Sequence, residues 1–174
     1  MTICSSRSPS PSRIAAALLL VAACSAGLLP VHPAPATPLE EHFAVVVSSD
    51  VPVDSLTLDQ LRHLFLFREK YWKHGRPVRI ILPETQLEPG SFLLERIYRM
   101  DYAALRRLIL EKVYQEQIDL APRVVASDSV ALDYVAAGRG LLSLVRFSAT
   151  NGKVVRMVAI DGVAPGSPTY SLRR

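Results

Sequence analysis

The clearest hydrophobic pattern, near the middle of the chain, predicts a helix followed by a buried strand. Apolar residues recur at helical spacing over residues 58–65, which is typical of an amphipathic helix. Thr57 precedes this helix and Gln60 lies three residues further on, the spacing of a capping box. Val78 and residues 80–82 form a short apolar run with β-branched side chains, which predicts a strand. A helix that leads into a strand with apolar residues on both faces predicts an α/β unit with a covered sheet.

The rest of the chain repeats this alternation of strands and helices. Further apolar runs of strand type cover residues 43–47, 141–147 and 153–160. Polar residues positioned to cap helices are Ser91, Asp101 and Ser127. In the helix after Ser127, we expect Val130, Tyr134 and Val135 to face inward. We expect Gly138 to end that helix in the left-handed conformation.

Composition places the chain among globular proteins and argues against a nucleic-acid partner. Of its 174 residues, 49% are hydrophobic and 21% are charged, which suits one folded domain rather than a disordered chain. The net charge is +4, and it falls to +2 when Arg7 and Arg13 of the leader described below are left out. That excess is too small to attract a nucleic acid, although it is compatible with a small anionic ligand.

The first 23 residues are expected to be an export signal. Residues 1–13 carry two arginines and no acids, and residues 14–23 form an unbroken apolar run that is too short to span a bilayer. Two cleavage sites remain open. The segment that ends at Cys24 resembles a bacterial lipobox, in which the cysteine is lipidated, whereas Ala34-Pro35-Ala36 is a small-x-small site. Either site predicts a product in the periplasm or cell envelope, and a lipid on Cys24 would be its only membrane attachment.

A proline-rich linker is expected between the leader and the folded domain. Prolines occur at positions 30, 33, 35 and 38, a composition typical of a stiff, extended segment. We therefore divide the chain into a signal peptide (1–23), a linker (24–42) and an α/β domain (43–174). Both cysteines, Cys4 and Cys24, precede the domain, so a disulfide or a cysteine metal site within it is excluded.

Residues 56–75 resemble the phosphate-binding proteins of ABC transporters. They read LTLDQLRHLFLFREKYWKHG, a helix that ends in aromatic residues and is followed by a Trp and a Gly before a strand. The resemblance implies a type 2 periplasmic-binding-protein-like fold, in which a mixed sheet is flanked by helices. It covers residues 43–174, which correspond to one lobe. A complete binding protein of this class is longer because its ligand lies between two lobes.

The strand ends and the resemblance together suggest five candidate ligand-binding residues. Ser48 and Ser49 follow the first strand, Gly90 and Ser91 open one helix, and Ser127 opens another. We expect Ser48, Ser91 and Ser127 to edge a common crevice on which helix N-termini converge. Each serine also has a purely structural explanation as a turn or cap residue.

The chain departs from the phosphate loop of the family that it resembles. That family holds a Ser-Gly-Thr loop with an Arg shortly before it, and Ser91 matches its serine. Here Phe92-Leu93 stands in place of the Gly-Thr, and no Arg lies between Ile80 and Ser91. Glu84 and Glu88 lie in the loop instead, and an acidic loop opposes the binding of a phosphate dianion.

The sequence is therefore compatible with two classes of function. The sequence holds no catalytic constellation, metal-ligand spacing or nucleotide-binding loop, so we expect neither enzymatic activity nor a cofactor. The first class is a solute-binding module for phosphate or another small oxyanion, with an ABC permease or another envelope protein as its partner. The second class is an envelope scaffold or protein-interaction module that keeps the half-domain without a ligand. It predicts an exposed apolar patch where the missing lobe would dock.

Overall fold

The computed structural model describes residues 41–174. The predicted signal peptide, the lipidation site Cys24 and the linker up to residue 40 lie outside the described residues and stay predictions. The described part is built on a six-stranded mixed sheet with helices on both faces, which confirms the predicted α/β class. No helix within this part is long and apolar enough to cross a membrane.

The six strands lie in the order β2-β6-β1-β5-β3-β4. Their bounds are β1 Phe43–Val47, β2 Ser55–Leu56, β3 Arg79–Pro83, β4 Arg123–Val125, β5 Leu141–Arg146 and β6 Arg156–Ile160. β1 is antiparallel to both of its neighbours, whereas all other pairs are parallel. The ends of β3, β4 and β5 therefore lie at the same edge of the sheet as the start of β1. We call this edge the carboxyl edge and the opposite one the amino edge.

Three of the helices in the described part begin at a capping residue. Their bounds are α1 Leu58–Phe65, α2 Gly90–Phe92, which runs into a wider π-helical turn over Leu93–Tyr98, α3 Tyr102–Tyr114 and α4 Asp128–Ala137. The Thr57 hydroxyl accepts a hydrogen bond from the Gln60 N–H at 3.1 Å, and the Thr57 N–H donates to Gln60 Oε1 at 2.9 Å. This confirms the predicted capping box. Asp101 and Ser127 cap α3 and α4, also as predicted.

The sheet separates two hydrophobic clusters because side chains alternate between the faces of each strand. On one face, Val45 and Leu144 belong to a large cluster with α1, α2, the π-helical turn and α3. On the other face, Val46 and Val145 belong to a smaller cluster with α4. Trp72 is buried in the large cluster, and its Nε1 donates to the Gly140 carbonyl at 3.0 Å. This tryptophan therefore packs in the core and joins the segment after α1 to the turn before β5.

The inward face of α4 differs from the prediction. Val135 is buried as expected, but Val130 and Tyr134 are exposed, and Ala131 and Leu132 face the sheet instead. Apolar residues occur almost all round this helix. Hydrophobic periodicity alone therefore does not select its buried face.

The left-handed glycine after α4 is Gly140 rather than Gly138. Gly138 follows the helix with a φ of −94°, whereas Gly140 has a φ of 69°. A Cβ on Gly140 would lie 2.4 Å from the carbonyl oxygen of Pro77. Both the backbone conformation and the close approach of the Pro77 segment therefore require glycine at this position.

Candidate functional site

A cavity of about 300 Å³ opens at the carboxyl edge of the sheet. The ends of β3, β4 and β5 contribute to its wall, together with the loop after β3, the start of α4 and the segment before β1. We call this cavity the crevice, and its lining residues are Glu41, Pro83, Glu84, Leu87, Glu88, Pro89, Val125, Ala126, Ser127, Asp128 and Arg146. The carboxyl ends of parallel strands are the usual place for a ligand in an open α/β sheet. The crevice is therefore the candidate site.

Arg146, the last residue of β5, is the one base among the residues that line the crevice, and its hydrogen bonds are made within the chain. Its Nε donates to Glu41 Oε1 at 2.6 Å, and its Nη1 donates to Asp128 Oδ2 at 3.1 Å. Its Nη2 donates to the backbone carbonyl of Glu88 at 2.8 Å. Two carboxylates of the same chain therefore already balance the positive charge of this guanidinium.

Asp128 is the most buried carboxylate of the crevice. Its side chain is 8% exposed, compared with 19% for Glu88 and 37% for Glu41, and Glu84 is exposed. Asp128 Oδ2 is paired with Arg146, but its Oδ1 is buried and has no hydrogen-bond donor within residues 41–174. Burial raises the pKa of Asp128 above its usual range, while the Arg146 guanidinium opposes that rise.

Glu88 supplies a second carboxylate oxygen without a donor. Its Oε1 accepts a hydrogen bond from Ser91 Oγ at 2.6 Å and also contacts the Arg174 guanidinium. Its Oε2 is buried, and no residue in the described part of the chain donates to it. Buried acceptors are nearly always paired in folded proteins, so two such oxygens in the wall of one cavity call for a donor from a water or a ligand.

Ser127 and Ser91 lie on the crevice side of the molecule, but both are used by the local structure. Ser127 lines the crevice, and its hydroxyl accepts the capping hydrogen bond of the Val130 N–H at 3.3 Å. Ser91 does not cap a helix as predicted, because it lies inside α2 and its hydroxyl donates to Glu88. Gly90 is buried, and a Cβ there would lie only 2.0 Å from the carbonyl oxygen of Glu84. Close packing of the loop accounts for this glycine.

Ser48 and Ser49 lie at the amino edge, so the predicted convergence of Ser48 with Ser91 and Ser127 is wrong. The physical reason is the direction of β1, which runs antiparallel to β5, so that its end meets the start of β5. Ser48 is fully buried, and its hydroxyl accepts a hydrogen bond from the Leu141 N–H at 3.1 Å. The Ser48 N–H in turn donates to the Leu141 carbonyl. Ser48 therefore joins two strands, and Ser49 is exposed in the following turn.

Other cavities of similar size lie away from the carboxyl edge. One of about 230 Å³ lies beside Gln60 and Trp72, and one of about 360 Å³ lies at the starts of β3 and β5 beside Arg79 and Leu141. Within the range 41–174, no group of three or more His, Cys, Asp or Glu side chains could hold a metal ion. Position at the strand ends and the concentration of charge, rather than volume, distinguish the crevice.

Arg146 and Asp128, the charged centre of the crevice, are not among the site residues that the sequence predicts. Arg146 ends an apolar strand and Asp128 directly follows a helix cap, so both occupy positions that an α/β fold brings to one edge. A charged residue at the end of a buried strand is the signal that could have located Arg146. Nothing in the spacing of the sequence predicts that Glu41, which precedes β1, joins the same group.

Comparisons with known proteins identify the fold. No protein-family model matches the sequence, and no curated protein matches it. An ABC-type phosphate transport receptor from Vibrio cholerae superposes with a TM-score of 0.62 at 16% identity, covering 78% of this chain and 54% of that chain. PstS from Borrelia burgdorferi superposes with a TM-score of 0.61 at 11% identity, covering 78% of this chain and 55% of that chain.

The chain therefore has the fold of phosphate ABC transporter substrate-binding proteins. It spans about half the length of the structures that it matches. At these sequence identities the likeness shows the fold alone. The predicted family resemblance is confirmed at that level, and the ligand must be argued from the crevice.

Proposed function

We propose that this chain is an exported, non-enzymatic binding lobe that captures a small solute in the crevice at the carboxyl edge. The observation that carries the proposal is the place of the crevice, at the ends of β3, β4 and β5, in a fold shared with transport receptors. Its volume of about 300 Å³ is at the lower end of the range for small-molecule sites. The apolar leader supports export to the periplasm or cell envelope.

Phosphate, the ligand implied by the family resemblance, receives little support from the crevice. Its lining holds four carboxylates, from Glu41, Glu84, Glu88 and Asp128, against the single guanidinium of Arg146. A phosphate dianion would be repelled by this excess and would have to displace Glu41 or Asp128 from Arg146. We therefore propose that phosphate or another small oxyanion binds weakly if the lobe acts alone.

A scaffold or protein-interaction role is the second candidate, because the chain spans only about half the length of its structural neighbours. A solute in the crevice would be contacted by one lobe, unless an ABC permease or another envelope protein supplies the facing surface. This role predicts an exposed apolar patch, but the lining residues of the crevice do not form one. Leu87 is the one exposed large hydrophobic side chain among them, and most of its neighbours are charged or polar. The crevice therefore favours solute capture over a purely apolar docking face.

A thermal-shift panel with the purified, processed protein tests this function. The panel contains an anion (phosphate), cations (spermidine and L-arginine) and a neutral sugar (glucose), each at millimolar concentration. A solute that binds the native state raises the melting temperature. We expect solutes of only one class, anionic, cationic or neutral, to do so. A matched comparison uses Ser127→Ala at the crevice and Ser49→Ala at the amino edge, of which only the first should reduce the shift. If no class raises the melting temperature, solute capture fails and the scaffold role replaces it.

A further inference from the structure

We propose that the solute bound in the crevice carries a positively charged donor group, a protonated amine or a guanidinium. This inference rests on the proposed solute-binding function and names the chemical class of its ligand. It reverses the charge expected from the family resemblance, and its grounds are the charge balance of the crevice and its unpaired acceptor atoms.

The charge balance of the crevice favours a cation. Glu41, Glu84, Glu88 and Asp128 outnumber Arg146 among the lining residues, and Arg174, which contacts Glu88 from outside the lining, does not reverse the excess. Negative charge in a concave site attracts cations and repels anions, because the low-dielectric walls concentrate the field. The N-terminus of α4, which could otherwise attract an anion, already faces the carboxylate of its own first residue, Asp128.

Unpaired acceptor atoms of two lining residues add to the charge argument. Asp128 Oδ1 and Glu88 Oε2 are buried in the crevice wall without a donor from residues 41–174, and the Asp128 side chain is more than nine-tenths buried. An ammonium group offers three N–H donors and a guanidinium five, with no acceptor that would clash with these oxygens. A phosphate offers mainly acceptors. These two unpaired acceptors of lining residues therefore match a cationic donor and not an oxyanion.

The pH dependence of binding follows from the same carboxylate. Burial raises the pKa of Asp128 and nearby Glu41 adds to that rise, whereas Arg146 lowers it. The other charged groups at the crevice are Glu84 and Glu88, which line it, and the Arg174 guanidinium, which is paired with Glu88. A cation binds the ionised carboxylate, so its affinity should weaken as the pH falls through the pKa of Asp128, and binding should release protons at pH values near that pKa.

Calorimetric titration with spermidine, L-arginine and phosphate tests the inference on the processed protein. Asp128→Asn and Glu88→Gln each remove one negative charge while keeping the side-chain shape, and either should weaken binding of the cations by about tenfold or more. Asp133→Asn is the matched control, because Asp133 lies on the same helix but is exposed and paired with Lys153. It should leave the affinity within about twofold of the original, as expected for a distant, independent site.

The outcomes separate this inference from the function on which it rests. Cation binding that is lost in the crevice variants, kept in the control and weakened as the pH falls through the pKa of Asp128 supports it. Binding of phosphate without binding of cations overturns it but leaves solute capture in place. Binding of neither overturns both. The proposal of a small cationic solute is also overturned if folded Asp128→Asn and Glu88→Gln bind the cations with unchanged affinity. It is overturned as well if the protein binds a blocked arginine peptide but neither spermidine nor L-arginine.

Discussion

Replacement of Ser48 by alanine separates a structural role from a ligand-binding role for this serine. Ser48 is fully buried, and its hydroxyl is the acceptor for the backbone N–H of Leu141 at 3.1 Å. Alanine would leave that N–H without this partner at the start of β5. An unsatisfied buried donor costs about 1–3 kcal/mol, so we expect the free energy of unfolding to fall by that amount.

Urea unfolding followed by circular dichroism measures the change, and Ser49→Ala provides the control. Ser49 is the exposed neighbour, so its replacement should change the free energy of unfolding by less than about 0.5 kcal/mol. Solute binding should be the same in Ser48→Ala as in the original protein, because Ser48 lies at the edge opposite the crevice. The reasoning is refuted if Ser48→Ala keeps full stability but loses solute binding.

Three further predictions concern stability, each measured by denaturant unfolding. Thr57→Ala removes the side-chain acceptor of the α1 capping box and should cost about 1 kcal/mol; no loss would contradict the observed cap. Gly140→Ala places a Cβ 2.4 Å from the Pro77 carbonyl at a φ of 69° and should cost about 2 kcal/mol or more, whereas Gly152→Ala, with open space around it, should cost less. The pKa of Asp128 is raised in the folded protein, so this carboxyl group stabilises the fold most at pH values below its unfolded pKa of 3.8. As the pH rises from 3.8 through the folded pKa, the original protein should therefore lose stability relative to Asp128→Asn. The same dependence of the free energy of unfolding on pH in both proteins would contradict this.

Local signals in the sequence predicted the elements of the fold well. The capping residues Thr57 and Asp101 and the continuous apolar run of β1 each determine an element from a few neighbouring residues. The buried face of α4 was not determined in this way, because apolar residues surround that helix and only the approach of the sheet selects Ala131 and Leu132.

The candidate site was predicted less well, because it depends on strand direction. The expectation that Ser48 joins the crevice assumes that the end of β1 lies with the ends of the other strands. β1 is instead antiparallel to β5, and this single reversal moves Ser48 to the amino edge and brings Glu41 to Arg146. Strand direction is set by long-range pairing that no local pattern in this sequence encodes, so the acidic centre of the crevice becomes visible only in three dimensions.

Chemical-shift mapping with spermidine tests the central claim most directly, since it shows both whether a solute binds and where. Backbone amide signals of the ¹⁵N-labelled protein are followed during titration at pH 8. We expect the largest shifts at Glu88, Ser127, Asp128 and Arg146, which line the crevice, and no change at Ser48 and Leu141, which lie at the opposite edge. Unchanged spectra, or shifts confined to the amino edge, would contradict the account of a solute site at the carboxyl edge.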